Sequence, residues 1–115
     1  MDEPESELVT LNSSVMIELI GNDLAKIKQF QIDFLGQANE YFKKLAGAYN
    51  QNQFENLKEH AHFLKTSANA IGAEKTGHYL ATIEAFALKK DKPALKELIL
   101  KLKSELKTLA GEIRK

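Results

Sequence analysis

The chain has 115 residues and no formal net charge, because 16 Lys and Arg balance 16 Asp and Glu. This length suits one domain and is too short for a catalytic domain with a separate regulatory one. Without a positive net charge the chain lacks the basic surface that drives binding to a phosphate backbone, so nucleic acid is not an expected partner. The absence of cysteine excludes disulfides, thiolate nucleophiles and cysteine metal ligands.

The first residues, MDEPESEL, are acidic and offer little to bury. We expect a mobile tail over residues 1–9 and one folded domain over residues 10–115. The start lacks the apolar core of a signal peptide, and no apolar run approaches the ~18 residues of a membrane span. We therefore expect a cytoplasmic protein without a membrane partner.

The rest of the chain repeats apolar residues at steps of three and four, which is the pattern of amphipathic helices. A short first helix is predicted in SSVMIELIG, with Ser13 or Ser14 at its N-cap and Gly21 at its end. A long second helix begins at Asn22 or Asp23 and runs to the polar turn YNQNQ.

Three more helices are predicted after this turn. The third ends near Gly72, the fourth runs from about Glu74 to Lys89, and Pro93 opens the fifth. The predicted apolar seams are Ile27, Phe30, Phe34, Ala38, Tyr41, Leu45 and Ala48; Phe54, Leu57, Ala61, Leu64, Ala68 and Ile71; Leu80, Ile83, Ala87 and Leu88; and Leu95, Ile99, Leu102, Leu106, Leu109 and Ile113.

No alternating β-branched run supports a strand, so the fold class is all-α. We predict an up-and-down four-helix bundle with the short N-terminal helix packed over one end. The heptad of the last helix is interpreted as bundle core rather than a coiled-coil seam, which predicts a monomer.

The third helix carries polar residues opposite its apolar seam. At ~100° per residue, His62 lies about 130° from the centre of that seam and points outward. Lys65, Thr66 and Asn69 fall on the same side, so the four residues form one polar strip. His60 lies only about 70° from the seam by the same step and flanks the core.

An outward neutral imidazole is a good nitrogen nucleophile, and its phosphorylated form is reactive enough to pass the phosphoryl group on. A cation one turn away is suited to steady phosphoryl oxygens. The chain has no glycine-rich nucleotide loop and no Asp or Asn cluster for Mg²⁺, so a partner must supply the rest of the chemistry.

The surrounding residues resemble the signature of histidine phosphotransfer (HPt) domains of two-component phosphorelays. That signature has a phosphorylated His, an apolar residue at plus two, Lys at plus three, usually Gly at plus four, small residues, an aliphatic at plus nine and Gly at plus ten. The corresponding residues are His62, Leu64, Lys65, Thr66, Ser67, Ala68, Ile71 and Gly72. The segments LIGND and FQIDFLGQANEYFKKL extend the resemblance over most of residues 10–110.

The resemblance implies a phosphorelay intermediate without its own nucleotide site or cofactor. His62 would accept a phosphoryl group from the phospho-aspartate of a receiver domain, which supplies its own Mg²⁺, and would pass it to another receiver. An upstream hybrid histidine kinase is a further implied partner. Lys65 would neutralise the phosphoryl group, and Glu84, twenty-two places after His62, would bind Nδ1 and leave Nε2 free.

The partner-docking residues expected on this face are Phe63, Thr66, Asn69 and Lys58. Thr66 departs from the family, which usually keeps Gly there so that a receiver comes close. One alternative is therefore a helical adaptor that binds receivers without phosphotransfer.

The other alternative is a metal-binding bundle built on Glu59-x-x-His62. Only one copy of this motif exists, since Glu74 and His78 are four apart rather than three. We therefore expect no metal in this protein.

Overall fold

The computed structural model describes residues 7–115, and these residues form five helices and no strand. The helices are α1 (Ser13–Ile20), α2 (Leu24–Asn50), α3 (Phe54–Ala70), α4 (Glu74–Leu88) and α5 (Lys92–Ile113). The predicted all-α class is confirmed. Within residues 7–115, none of these helices combines the length and the apolar character that crossing a membrane requires.

Helices α2 to α5 form the bundle. Each packs against the next one along the chain, and α5 closes the ring by packing against α2. The short α1 lies over the end that contains the α3–α4 turn: Met16 is buried, and Asn12 N donates to Gly72 O at 2.8 Å. This is the predicted architecture.

The predicted seams form most of the core. Leu57, Ala61 and Leu64 of α3 are fully buried, because steps of three and four keep them on one side of the helix. Two predicted core residues are wrong: Phe30 is 46% exposed and Leu88 is 67% exposed. In α2 the buried line at this level is Ile27, Gln31 and Phe34, so Gln31 takes the position assigned to Phe30.

The helix ends follow local capping chemistry. The predicted cap of α1, Ser13 or Ser14, is wrong, because Asn12 Oδ1 accepts from Ser14 N at 3.2 Å while Ser13 is already helical. Asp23, one of the two residues predicted at the start of α2, caps this helix by accepting from Lys26 N at 3.1 Å. Asp91 caps α5 in the same way, and Pro93 lies in its first turn.

The segment before α1 is attached to the start of α4. Val9 N donates to Glu74 Oε1 at 3.1 Å, and Asn12 Nδ2 donates to Glu74 Oε2 at 2.9 Å. Lys75 N donates to Val9 O at 3.2 Å. Residues 1–6 of the predicted mobile tail lie outside the described residues, whereas Val9 belongs to the folded part of the chain.

Candidate functional site

The site lies on the face shared by α3 and α4. These two helices pack closely because fully buried residues of α3, such as Leu64, face fully buried residues of α4, such as Leu80 and Ile83. Outward residues beside the two seams therefore meet across the helix pair. This packing places His62 of α3 next to Glu84 of α4.

His62 is held at one ring nitrogen and open at the other. Nδ1 lies 3.2 Å from Glu84 Oε2, and 65% of the His62 side chain is exposed. A carboxylate only accepts hydrogen bonds, so this contact selects the tautomer with its proton on Nδ1. No described residue bonds to Nε2, which therefore carries a lone pair available to a docking partner.

Glu84 connects His62 to Lys65. Its other oxygen, Oε1, lies 2.9 Å from Lys65 Nζ, and only 18% of the Glu84 side chain is exposed. Oε1 is buried without a hydrogen bond of good geometry, so the ion pair with Lys65 is what compensates its charge. One carboxylate thus orients the imidazole while an ammonium group one helical turn from His62 orients the carboxylate.

An open groove surrounds the imidazole. It is lined by Lys58, Glu59, His62, Phe63, Thr66, Ser67, Glu84 and Leu88. Lys58 forms an ion pair with Glu55 at 3.2 Å, and Thr66 Oγ1 donates to His62 O at 3.3 Å. Exposed Leu88, which we predicted to be core, instead forms part of the apolar surface of this groove.

Phe63 is an exposed aromatic with a fixed position. It is 49% exposed, and its ring stacks on Tyr41 of α2 with 4.7 Å between centroids and 14° between planes. His60 lies edge-on to Tyr41, with 6.0 Å between the ring centroids. The spacing in α2 predicts Tyr41 in the core but does not reveal its contact with Phe63, because a helical wheel shows the directions of side chains on one helix and not their neighbours on another.

Asn69 does not line the His62 groove. It lines a separate depression with Lys65, Glu74, Gly77 and His78, where a Cβ on Gly77 would overlap Asn69 Oδ1. The predicted polar strip is therefore divided, with Thr66 beside His62 and Asn69 against α4. Lys65 lines the same depression as Asn69 and reaches Glu84.

The metal alternative depends on clustered ligands. Within residues 7–115, no three His, Asp or Glu side chains lie close enough together to hold a metal ion. Glu59 and His62 line the same groove but do not belong to such a group.

The fold and the site together define a helical carrier domain, in which a surface imidazole is aimed outward and no nucleotide-binding loop is present in the sequence. The sequence matches the Hpt domain family over residues 29–112, which is well over half of the chain. The chain therefore belongs to the Hpt family and is a histidine phosphotransfer intermediate of phosphorelays. The predicted family and its general function are confirmed, and members of this family interact with receiver domains and kinases in such relays.

A solved structure supports the fold independently. The crystal structure of histidine-containing phosphotransfer protein B (HptB) from Pseudomonas aeruginosa PAO1 aligns with a TM-score of 0.84 and 18% sequence identity, covering 91% of each chain. At this identity the likeness concerns the fold. No curated protein sequence matches the chain significantly.

Proposed function

We propose that His62 is the residue that carries the phosphoryl group. The observation that supports this most is the pairing of His62 Nδ1 with Glu84, which leaves Nε2 on the exposed side of the ring. Of the three histidines, all within the described residues, His62 alone has a carboxylate at its ring. His60 and His78 are both half-buried.

The proposed transfer step uses the free Nε2 of His62. The lone pair of Nε2 attacks the phosphorus of a receiver's aspartyl phosphate, and the bond from phosphorus to the aspartyl oxygen breaks. The electron pair of that bond leaves with the aspartate carboxylate. The Nδ1 proton stays on the ring, where the Glu84 carboxylate balances the positive charge that develops. In the onward step, the carboxylate of another receiver attacks phosphorus and the electron pair of the N–P bond returns to Nε2.

Lys65 has two roles in this proposal. In the unphosphorylated protein its ammonium group holds Glu84 Oε1. After transfer it is a cation one helical turn from His62 that is suited to stabilise the new phosphoryl oxygens. The Mg²⁺ that assists transfer is assigned to the receiver domain, and the protein acts as a monomeric carrier in the cytoplasm rather than as an enzyme with its own nucleotide site.

The docking face for receivers is the groove around His62. Phe63 and Leu88 supply exposed apolar area, and Lys58 and Thr66 border the imidazole. Phe63 is held by Tyr41, so it loses little conformational freedom when a partner binds. Asn69 stays at the margin of this face, because its side chain lies against α4.

Incubation with a phosphorylated receiver domain and Mg²⁺ tests the proposal. A phosphoramidate should form that is labile in acid and stable in base, and mass spectrometry should locate it on His62. The adaptor alternative predicts a different result. The receiver would bind at the same face, but its phosphoryl group would stay on the receiver. A label on another residue would refute the assignment of His62.

Glu84 is expected to act as a positioning residue. Glu84→Ala removes the acceptor at Nδ1, so the ring loses its fixed tautomer and transfer should slow by about tenfold to a hundredfold, the range found for carboxylates that orient metal-ligating histidines. The ¹⁵N shifts of His62 should show a larger fraction of the Nε2–H tautomer. Glu59→Ala is the matched control, because Glu59 lines the same groove but the carboxylate paired with the His62 ring is that of Glu84. Unchanged tautomer populations in the Glu84 variant would remove it from the site.

Thr66 is expected to obstruct a closely docking receiver. Its β-branched side chain stands one turn from His62, where the family usually keeps Gly, and about 1 Å of misplacement costs on the order of a hundredfold in rate. Thr66→Gly should therefore speed transfer with receivers in general, although it should lower the free energy of unfolding by roughly 0.5 to 1 kcal/mol.

A panel of receivers separates obstruction from selection. A loss of rate with one receiver alone would mean that Thr66 selects this partner. No change with any receiver would place position 66 outside the docking face. Ser67→Gly serves as the control for the loss of helix stability, since Ser67 is the neighbouring position of the same groove.

A further inference from the structure

A second groove runs along the opposite side of the bundle, between α2 and α5. Its volume is about 600 Å³, and its apolar floor includes Leu35 and Phe42 of α2 and Leu106 of α5. None of its lining residues lines the groove around His62. A partner in this second groove, which we call the α2–α5 groove, therefore leaves the phosphotransfer face open.

Small residues create the space. Gly36 and Ala110 line the groove from opposite helices, and a Cβ added to Gly36 would meet nothing within 4 Å. Ile32, at one end, is 46% exposed although it is a large apolar residue. Covering apolar surface of this kind with another apolar surface removes it from water, which is favourable in free energy.

The charged residues that line the groove are all positive. Its charged lining residues are Lys103, Lys107 and Arg114, all exposed, and no Asp or Glu lines it. Within residues 7–115 none of the three cations takes part in an ion pair. At ~100° per residue their spacings of four and seven place them within about 40° of one another, so they form one cationic stripe along α5.

The length of the groove indicates the shape of a partner that would fill it. The lining residues span 32–42 on α2 and 103–114 on α5 and its C-cap, which corresponds to about 15 Å, or three helical turns, on each side. A single anionic headgroup would pair with only one cation, whereas the three cations of the stripe are distributed along the whole length of the groove. An apolar floor with a charged border of this length matches helix-in-groove binding.

We propose that the α2–α5 groove binds an acidic amphipathic helix of another polypeptide. The helix lays its apolar face over Leu35, Phe42 and Leu106, and carboxylates on its flank pair with Lys103, Lys107 and Arg114. The interaction recruits the carrier to a partner without occupying His62. It does not depend on which residue is phosphorylated.

A synthetic helical peptide of sixteen residues, with a leucine stripe and three flanking glutamates, is the probe. Titrated into ¹⁵N-labelled protein, it should shift the amides of Gly36, Asn39 and Ala110 and leave those around His62 unchanged. A second peptide with lysines in place of the glutamates should bind at least about tenfold more weakly, because three attractive pairs become repulsive. Equal binding of the two peptides would overturn the charge argument.

Two pairs of variants locate the site. Gly36→Leu fills the groove and should weaken peptide binding about tenfold or more, and Gly47→Leu is its control, because Gly47 has the same open surroundings on α2 but does not line the groove. Lys107→Glu should weaken binding several-fold, whereas Lys101→Glu, an exposed lysine of α5 outside the groove, should not. Leu favours helices more than Gly does, so the filled variants are expected to fold.

Other occupants give different results. If decanoate shifts the same amides and the acidic peptide does not bind, the proposal is overturned and the groove is a site for a small amphiphile. A dimer of the unmodified protein that Gly36→Leu converts to a monomer would assign the groove to a second copy of this chain. Phosphotransfer by the Gly36→Leu protein should be normal, so failure of this proposal is separable from failure of the assignment of His62.

Discussion

A His62→Gln variant is expected to accept no phosphoryl group from a phosphorylated receiver domain. Glutamine keeps a polar side chain at the position but has no nucleophilic ring nitrogen, so the label should fall to background rather than decrease in part. The His62 side chain is 65% exposed, so its substitution should change the free energy of unfolding by only about 0.5 kcal/mol. Loss of label would therefore report chemistry rather than unfolding.

The other two histidines are the matched controls. His60→Gln and His78→Gln should keep the full label, because neither ring has a carboxylate partner among the described residues. Labelled protein in all three variants would place the phosphoryl group on another kind of residue. Label that persists in His62→Gln and disappears in His60→Gln or His78→Gln would move the acceptor to that histidine.

Gly72→Ala is expected to have the largest effect on stability among the glycines. Gly72 has φ of +81°, a backbone conformation that costs a residue with a Cβ about 1 to 3 kcal/mol. An added Cβ would also overlap the backbone carbonyl of Asn12, which packs directly over the turn. Urea unfolding should show a midpoint lowered accordingly with a nearly unchanged slope.

The amide of Asn12 provides a local measure of the same change. It donates to Gly72 O, so its hydrogen exchange should accelerate when the turn shifts. Gly111→Ala is the control: Gly111 is helical with open space around a Cβ, and the change should raise the free energy of unfolding by roughly 0.5 to 1 kcal/mol. A Gly72→Ala protein as stable as the wild type would show that the turn relaxes without cost.

Much of the local structure was predictable because helical periodicity and capping are properties of single segments. The seam of α3 at Leu57, Ala61, Leu64 and Ala68 is fully buried, as its spacing required. Asp23 and Pro93 were recognisable at helix starts for the same reason. The errors at Phe30 and Leu88 arose because the adjacent residue, Gln31 or Ala87, is the buried one, and only packing against neighbouring helices decides which of two adjacent positions faces the core.

The candidate site was predictable to a smaller extent. His62 stands out because its outward direction and its signature lie within one helix. That Glu84 meets its ring was implied only by the family resemblance, and that Lys65 pairs with the other oxygen of the same carboxylate was not predicted at all. Contacts such as Tyr41 with Phe63 depend on the rotation and axial shift of one helix against another, which periodicity does not encode.

The sequence by itself thus determined the all-α class, the approximate ends of the helices and the candidate nucleophile, since each is set by residues close together along the chain. Tertiary structure decided which carboxylate fixes the imidazole, which cation compensates that carboxylate, and where the small residues Gly36 and Ala110 leave the α2–α5 groove open. The physical reason is that these features are distances between helices. Such distances follow from how the side chains of the whole bundle interlock, and no single segment contains that information.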